Sequence, residues 1–239
     1  MINLQEVSDT LRSKNKYWIT FIGDSITSCE WVHPNWREIV EYVLKDKLQE
    51  MFDNYRIPYW GLRCFNFGFD GATSKDILKK LDDVVLLEPN LAILMIGAND
   101  PILNVNKEEH AENINLIRRR MLEENVRFVF STCNKPWNES SAARYRQYVE
   151  VDKKLNLGDG QFINLFEISG TFPSEEIYTF KSEENPDEGI KEGELDYWHP
   201  NQLGNAFIAK VILNKVFGIN FDPEKYWRNN LKGEKFPEY

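Results

Sequence analysis

The strongest constraint on the fold is an alternation between short apolar runs and longer stretches with helical periodicity. Each of five strand-length apolar runs is followed by a stretch typical of a helix, in which apolar residues recur with a period near 3.6. Alternating β and α units predict a parallel sheet with helices on both faces, joined by right-handed connections. We therefore expect a doubly wound, three-layer α/β/α fold around a five-stranded parallel sheet.

The predicted strands are, in chain order, Trp18–Ile22, Leu62–Phe67, Leu91–Ile96, Arg127–Ser131 and Phe162–Phe166. The predicted helices are Arg37–Phe52, Ser74–Leu87, Lys107–Glu124, Ser140–Leu157 and Asn201–Phe217. A length of 239 residues suits one such domain, so we expect a single domain over residues 1–239.

Two segments fall outside the alternating pattern. Residues 171–195 form an acidic insertion that is long for a loop, which predicts either a flap over the substrate or a mobile insertion. The tail, residues 220–239, carries several aromatic side chains, and we expect these to pack back onto the domain.

Charge and composition limit the partners. A net charge of −9 argues against a nucleic-acid-binding surface and suits a protein that acts on small substrates. The sequence has no apolar run of membrane-spanning length and no visible signal peptide, so we expect a cytoplasmic protein without a membrane partner. Three widely spaced cysteines favour neither a disulfide framework nor a zinc site. The oligomeric state stays open.

A candidate nucleophile follows the first predicted strand. Gly23-Asp24-Ser25 places a serine at the carboxyl end of that strand, the edge at which open α/β sheets bind ligands. The same three residue types are also common in ordinary turns, so the motif needs partners before it indicates catalysis.

A serine nucleophile needs a base and a group that orients the base. The chain has three histidines. His110 lies in a charged helical stretch and is interpreted as a solvated surface residue, whereas His33 is close enough to Ser25 in sequence to line the mouth of a pocket. His199 follows Asp196 by three residues, a spacing that can place a carboxylate beside the imidazole. The alternative is a simple helix-entry turn with capping residues.

Acyl transfer also requires hydrogen-bond donors for a tetrahedral oxyanion. Two turns that follow predicted strands could supply them: the Asn66–Ser74 turn, which contains Gly71, and the Gly97–Asp100 turn, which contains Asn99. Each is equally compatible with a plain strand-to-helix turn. Because parallel strands end at the same edge, we expect these turns and Ser25 to converge on one crevice.

Together these segments resemble the four sequence blocks of the SGNH, or GDSL-type, hydrolases, which have a flavodoxin-like α/β/α fold. The resemblance covers residues 23 to 201. It departs at Ile26, where the Gly-Asp-Ser-Leu motif that gives the family its name has leucine. It implies Ser25 as nucleophile, His199 as base and Asp196 as its partner. It also implies an oxyanion hole formed by the N–H groups of Ser25 and Gly71 with the Asn99 amide, and no metal or organic cofactor. The α/β-hydrolase elbow Gly-x-Ser-x-Gly does not fit, because Thr27 replaces its second glycine.

The resulting expectation is a serine esterase acting on a small-molecule ester with a short acyl group, for example an O-acetylated carbohydrate. Trp31, His33 and Trp198 are weaker candidates for substrate binding. Six aromatic residues near the blocks could stack on a sugar or could equally belong to the core: Trp31, Trp36, Phe67, Phe69, Trp137 and Trp198. The alternatives are a lipase or thioesterase, an acyltransferase with the same serine, and a non-catalytic carbohydrate-binding protein that keeps the fold.

Overall fold

A computed structural model describes residues 2–155, 157–158, 161–182, 191–234 and 237–239. Within these residues the strands are β1 (Tyr17–Gly23), β2 (Leu62–Gly68), β3 (Leu91–Met95), β4 (Arg127–Ser131) and β5 (Phe162–Ile163). They form one sheet in the order β2-β1-β3-β4-β5, and all neighbouring strands are parallel. The predicted fold class is confirmed.

The helices of the described residues are α1 (Leu4–Lys14), α2 (Trp36–Gln49), α3 (Arg56–Gly61), α4 (Ser74–Val85), α5 (Lys107–Glu123), α6 (Glu139–Asp152), α7 (Leu165–Ser169), α8 (Ser174–Ile177), α9 (Gln202–Phe217) and α10 (Pro223–Leu231). Neighbouring residues of a strand point to opposite faces of the sheet, so Ile93 and Leu94 of β3 belong to two separate buried clusters. Helices α4 and α5 contribute to one cluster, and α1, α2, α6 and α9 contribute to the other.

Several predicted elements extend past their observed ends. The expected strand Phe162–Phe166 is wrong in its second half, because the side chain of Asn164 accepts the N–H of Glu167 and starts helix α7. The helix predicted over Ser140–Leu157 ends at Asp152. Helices α1, α3, α7, α8 and α10 are not among the predicted helices.

The two segments outside the alternating pattern are only partly described. Residues 183–190 of the acidic insertion lie outside the described residues, and its role as a flap stays a prediction. The described ends of the insertion are joined by an antiparallel bridge between Lys181 and Leu195. In the tail, Phe221 and Tyr226 are buried in the core cluster that includes α9, whereas Phe236 lies outside the described residues.

Candidate active site

Ser25 lies in a tight turn directly after β1, at the carboxyl edge of the sheet. The N–H groups of Thr27 and Ser28 both donate to the Asp24 carbonyl at 3.0 Å. The Asp24 carboxylate accepts the N–H of Ile26 at 3.1 Å. The turn leaves Ser25 8% exposed, so its side chain is largely shielded from water.

Asp24 is fully buried beneath this turn. Its second carboxylate oxygen accepts a hydrogen bond from the thiol of Cys133 at 3.3 Å. Burial raises the pKa of Asp24 to about 6, although the hydrogen bonds from Ile26 and Cys133 favour the charged form. At neutral pH the fold therefore holds a carboxylate in an environment that disfavours its charge.

His199 and Asp196 lie in the loop that precedes α9. One oxygen of the Asp196 carboxylate accepts the N–H of Trp198 at 2.8 Å and that of His199 at 3.0 Å. The side chain of Asn201 accepts the N–H of Gly204 and so caps the helix that follows. The aspartate fixes the backbone of its own loop and the position of the imidazole.

The structure brings Asp196, His199 and Ser25 into one hydrogen-bonded chain. His199 Nδ1 is 2.6 Å from Asp196 Oδ2, and His199 Nε2 is 2.8 Å from Ser25 Oγ. Burial would raise the pKa of Asp196, but hydrogen bonds from His199 and from the N–H of Trp198 hold it below its usual value. A carboxylate, an imidazole and a hydroxyl are thus aligned, with an ionised group at the far end.

Trp36, the first residue of α2, connects the turn that contains Ser25 to the loop that contains His199. Its indole N–H donates to the Ile26 carbonyl at 3.1 Å, and its backbone N–H donates to the Asn205 side chain at 3.0 Å. Asn205 in turn donates to the Pro200 carbonyl at 2.9 Å. Trp36 is fully buried and belongs to the core. Asn205 was not identified from the sequence. The feature that could have identified it is its position as a polar residue on the buried side of an apolar helix.

The two predicted oxyanion turns meet at the same edge of the sheet. The N–H of Phe69 donates to the Gly23 carbonyl at 3.0 Å, which joins the first turn to the end of β1. The Asn99 side-chain amide donates to the Ala72 carbonyl at 3.0 Å, so this amide lies beside the carbonyl of the residue that follows Gly71. Gly71 has a φ of 67°, a left-handed conformation that glycine adopts without strain.

Trp31 covers one face of the imidazole. Its ring is stacked on that of His199, with centroids 4.1 Å apart and planes 5° apart. The indole N–H donates to Asp70 Oδ1 at 2.9 Å, so Trp31 connects the histidine to the residue directly before Gly71. A small cleft is lined by Ser25, Ile26, Trp31, Val32, His199, Pro200 and Asn205.

The other candidates for substrate binding lie differently. The exposed imidazole of His33 has its Nδ1 3.0 Å from a Glu38 carboxylate oxygen. Trp198 is half-buried and packs against the core, and its carbonyl accepts a hydrogen bond from Asn134. Trp137 is 39% exposed, and its backbone N–H donates to the Tyr197 carbonyl, within the loop that carries His199.

The interpretation of His110 as a surface residue is wrong. Its side chain is fully buried, with Nδ1 2.9 Å from Asp100 Oδ1 and Nε2 3.0 Å from Asp152 Oδ1. The charged neighbours in the sequence point outward on other faces of α5, whereas His110 falls on the buried face with Asn113 and Ile114. A helix with many charged residues still has one face that packs against the core, and His110 lies on that face.

The comparison with protein families decides the classification. The GDSL-like Lipase/Acylhydrolase family matches residues 21–207, which include Ser25, Asn99, Asp196 and His199. The chain belongs to this family. Membership of the GDSL-like lipase/acylhydrolase family makes it a carboxylic ester hydrolase, and ester-containing small molecules are the substrate class that the family suggests.

Solved structures of low sequence identity share the fold of this GDSL-family chain. The lipase/acylhydrolase from Enterococcus faecalis has a TM-score of 0.60 and 21% identity over 84% of this chain and 96% of its own. A catalytic mutant of Axe2, an acetylxylan esterase from Geobacillus stearothermophilus, gives 0.58 and 19% over 83% and 93%. A lipolytic protein of the G-D-S-L family from Veillonella parvula gives 0.57 and 15% over 84% and 98%. A search of curated proteins gives no significant match.

Among the described residues, no helix is both long and apolar enough to cross a membrane. Across the same part of the chain, no group of three or more His, Cys, Asp or Glu side chains is arranged to hold a metal ion.

Proposed function

We propose that this GDSL-family chain is a serine esterase in which Ser25 is the nucleophile, His199 the general base and Asp196 its orienting partner. The observation that carries the proposal is the continuous hydrogen-bonded chain from Asp196 through His199 to Ser25, with distances of 2.6 and 2.8 Å. A base in hydrogen-bond reach of a hydroxyl, itself oriented by a third group, is the arrangement that activates a serine.

In the first half-reaction Asp196 holds the proton on His199 Nδ1, which leaves Nε2 free to accept the Ser25 proton. Ser25 Oγ attacks the ester carbonyl and forms a tetrahedral intermediate. As that intermediate collapses, His199 returns the proton to the leaving alcohol and an acyl-enzyme remains. In the second half-reaction His199 takes a proton from water as it attacks the acyl carbonyl. When this second tetrahedral intermediate collapses, the bond to Ser25 Oγ breaks, the carboxylic acid leaves and His199 returns the proton to Oγ.

The developing oxyanion would be bound by the N–H groups of Ser25 and Gly71 and by the Asn99 amide. Support comes from the way the two turns are joined to each other and to β1. Asn99 donates to the Ala72 carbonyl, and Phe69 donates to the Gly23 carbonyl. Donors fixed before the reaction need no reorganisation when charge develops, which is why such sites contribute much of the rate.

We infer a short acyl group and an alcohol that presents a flat or sugar-like face. As the described residues form it, the cleft beside Ser25 is narrow and encloses no space that would hold a long acyl chain. Partly exposed aromatic rings near the site, Trp31 and Trp137, offer stacking surfaces for an O-acetylated carbohydrate. One structural relative is an acetylxylan esterase, which agrees with this choice.

The first experiment measures hydrolysis of p-nitrophenyl acetate, butyrate and octanoate by the wild type and by Ser25→Ala. We expect turnover to fall in that order of acyl length and to be abolished by the substitution. Ser140→Ala serves as the control, because Ser140 is an exposed serine in the first turn of α6. Undiminished turnover in Ser25→Ala would contradict the proposal, and octanoate turned over as fast as acetate would favour a lipase or thioesterase.

A second experiment separates catalysis from binding alone. Treatment with a fluorophosphonate followed by mass spectrometry should place a covalent adduct on Ser25, and the adduct should be absent from Ser25→Ala. A non-catalytic carbohydrate-binding protein would bind sugar without forming the adduct. Addition of an alcohol acceptor to the ester assay distinguishes the acyltransferase, because a new ester would then appear in place of the free acid.

A further inference from the structure

The buried cluster around His110 reaches the oxyanion turns. His110, on α5, makes hydrogen bonds through both ring nitrogens, to Asp100 and to Asp152 at the end of α6. All three side chains are completely excluded from solvent. Burial would lower the pKa of His110, but the hydrogen bonds from its ring to Asp100 and Asp152 outweigh this and raise it to about 10. Both ring nitrogens face carboxylates, an arrangement that suits an imidazolium donating from each.

Asp100 links His110 to the first oxyanion turn, Asn66–Ser74. Its carboxylate accepts the N–H of Ser74 at 3.0 Å and also the Ser74 hydroxyl. Asn113 of α5 donates to the same hydroxyl at 3.0 Å. Ser74 starts α4, directly after the turn that holds Gly71, so the position of Asp100 sets the position of that turn.

Asp100 also directly follows Asn99, the other predicted oxyanion donor. The two turns are thus joined twice, by Asn99 to the Ala72 carbonyl at 3.0 Å and by Asp100 to Ser74. Two adjacent links prevent the turns from pivoting about a single hydrogen bond. The second link depends on the orientation of the Asp100 carboxylate, and His110 is one of the groups that fix it.

Gly97 lets the imidazole come this close to the second turn. It has a φ of 123°, and a Cβ at this position would lie 3.2 Å from His110 Cε1 and 3.2 Å from the Tyr145 ring. The histidine therefore packs directly against the backbone of the turn that carries Asn99. Tyr148 contacts the imidazole edge-on, with ring centroids 5.5 Å apart.

We propose that His110 is a positioning residue for the oxyanion hole and acts through Asp100 on the Gly71 and Asn99 donors. The proposal rests on the serine-esterase function proposed above. Its physical basis is that catalytic donors must be held within a fraction of an ångström, since a displacement of about 1 Å can lower a rate roughly a hundredfold. His110 touches neither substrate nor Ser25.

The test uses two neutral replacements that retain different donors. In His110→Asn the side-chain amide can still donate toward Asp100, as Nδ1 does, whereas in His110→Gln the longer amide reaches toward Asp152, as Nε2 does. We expect His110→Gln to lower kcat for p-nitrophenyl acetate by about tenfold or more, in line with a displaced oxyanion donor, with KM within about twofold. His110→Asn should recover most of that loss.

Ser74→Ala is a second variant that leaves His110 in place and breaks the hydroxyl link to Asp100. It should reproduce the selective loss of kcat. Val149→Ala is the structural control, because Val149 is fully buried on α6, one turn before Asp152, and its side chain is apolar. Thermal unfolding of each variant reports how much stability it has lost.

Three outcomes are distinguishable. A loss of kcat in His110→Gln and Ser74→Ala that exceeds the loss in Val149→Ala, with recovery in His110→Asn, supports the positioning role. Equal kcat in all these folded variants, or a kcat that follows stability alone, overturns it while the esterase proposal stands. A wild type that neither hydrolyses the ester nor forms the fluorophosphonate adduct on Ser25 overturns both proposals.

Discussion

The indole of Trp31 lies parallel to the imidazole of His199, 4.1 Å away, and donates its N–H to Asp70. One aromatic side chain therefore contacts the candidate base and also binds Asp70, a residue of the first predicted oxyanion turn. Trp31 is still 38% exposed, so part of its surface remains free to face a substrate. The same residue can position the imidazole and contact the alcohol portion of an ester.

Replacement of Trp31 by leucine should lower kcat/KM because the stacked face that holds His199 is lost. Aromatic contacts of this kind contribute about 0.5–1.5 kcal/mol, which corresponds to roughly a two- to twelvefold loss. Trp31→Phe retains a ring but no N–H, and its loss should match that of Asp70→Ala. Steady-state kinetics with p-nitrophenyl acetate measures all three variants. Wild-type kcat/KM in Trp31→Leu would show that the stack does not assist the reaction.

Replacement of Asn99 by aspartate should remove the side-chain donor while keeping the shape of the residue. Loss of one oxyanion donor lowers kcat by about 10²–10³-fold. The fluorophosphonate reaction should slow as well, because its transition state also places negative charge near this amide. Circular dichroism checks that the fold is retained. An unchanged kcat in a folded Asn99→Asp would remove Asn99 from the proposed oxyanion hole.

Replacement of Asp24 by asparagine should stabilise the fold above pH 6. The pKa of Asp24 is raised from 3.8 to about 6 by burial, so the stability due to its bound proton is present below pH 3.8 and lost as pH rises through about 6. Asparagine carries no charge and avoids this loss, for a gain of up to about 3 kcal/mol at 1.36 kcal/mol per pKa unit. Urea unfolding at pH 5 and pH 8 measures the gain, which should be larger at pH 8. Asp53→Asn, at an exposed position, is the control and should show no such trend.

The charge of His110 predicts a second pH dependence, at higher pH. Its pKa is raised to about 10 in the fold, against about 6.5 for an unfolded histidine. The stability that the bound proton contributes is therefore complete below about pH 6.5 and is lost progressively as pH rises through about 10. The unfolding free energy of the wild type should fall across this range more steeply than that of His110→Asn. Parallel curves for the two proteins would mean that His110 is not charged in the fold.

The sequence was sufficient to predict the strands at the centre of the sheet, because a strand buried on both faces is a nearly continuous apolar run. Leu91–Met95 is fully buried and Arg127–Ser131 was predicted with its observed bounds. The short strand β5 ends early because a single side-chain cap, that of Asn164, redirects the chain. A capping side chain can start a helix even where the apolar pattern favours a strand, and the pattern alone does not show which of the two will form.

For the candidate site, Ser25, Asp196, His199, Gly71 and Asn99 were identified from local motifs, and their catalytic roles remain predictions. The contacts that support them are long-range and leave little local signal. Trp36 and Asn205 are far apart in sequence, and so are His110 and Asp152. The sequence of a charged helical segment does not by itself show whether a histidine is buried or exposed. That becomes clear only when the fold places the carboxylates that bind it.

The 2.8 Å contact between Ser25 and His199 joins residues that are 174 positions apart in the chain. During synthesis Ser25, both oxyanion turns and all five strands of the described residues are made before His199. In the proposed mechanism, therefore, the chain cannot be active until the loop before α9 has docked against the turn that contains Ser25. If the proposed roles hold, esterase activity consequently reports that the C-terminal part of the fold has docked.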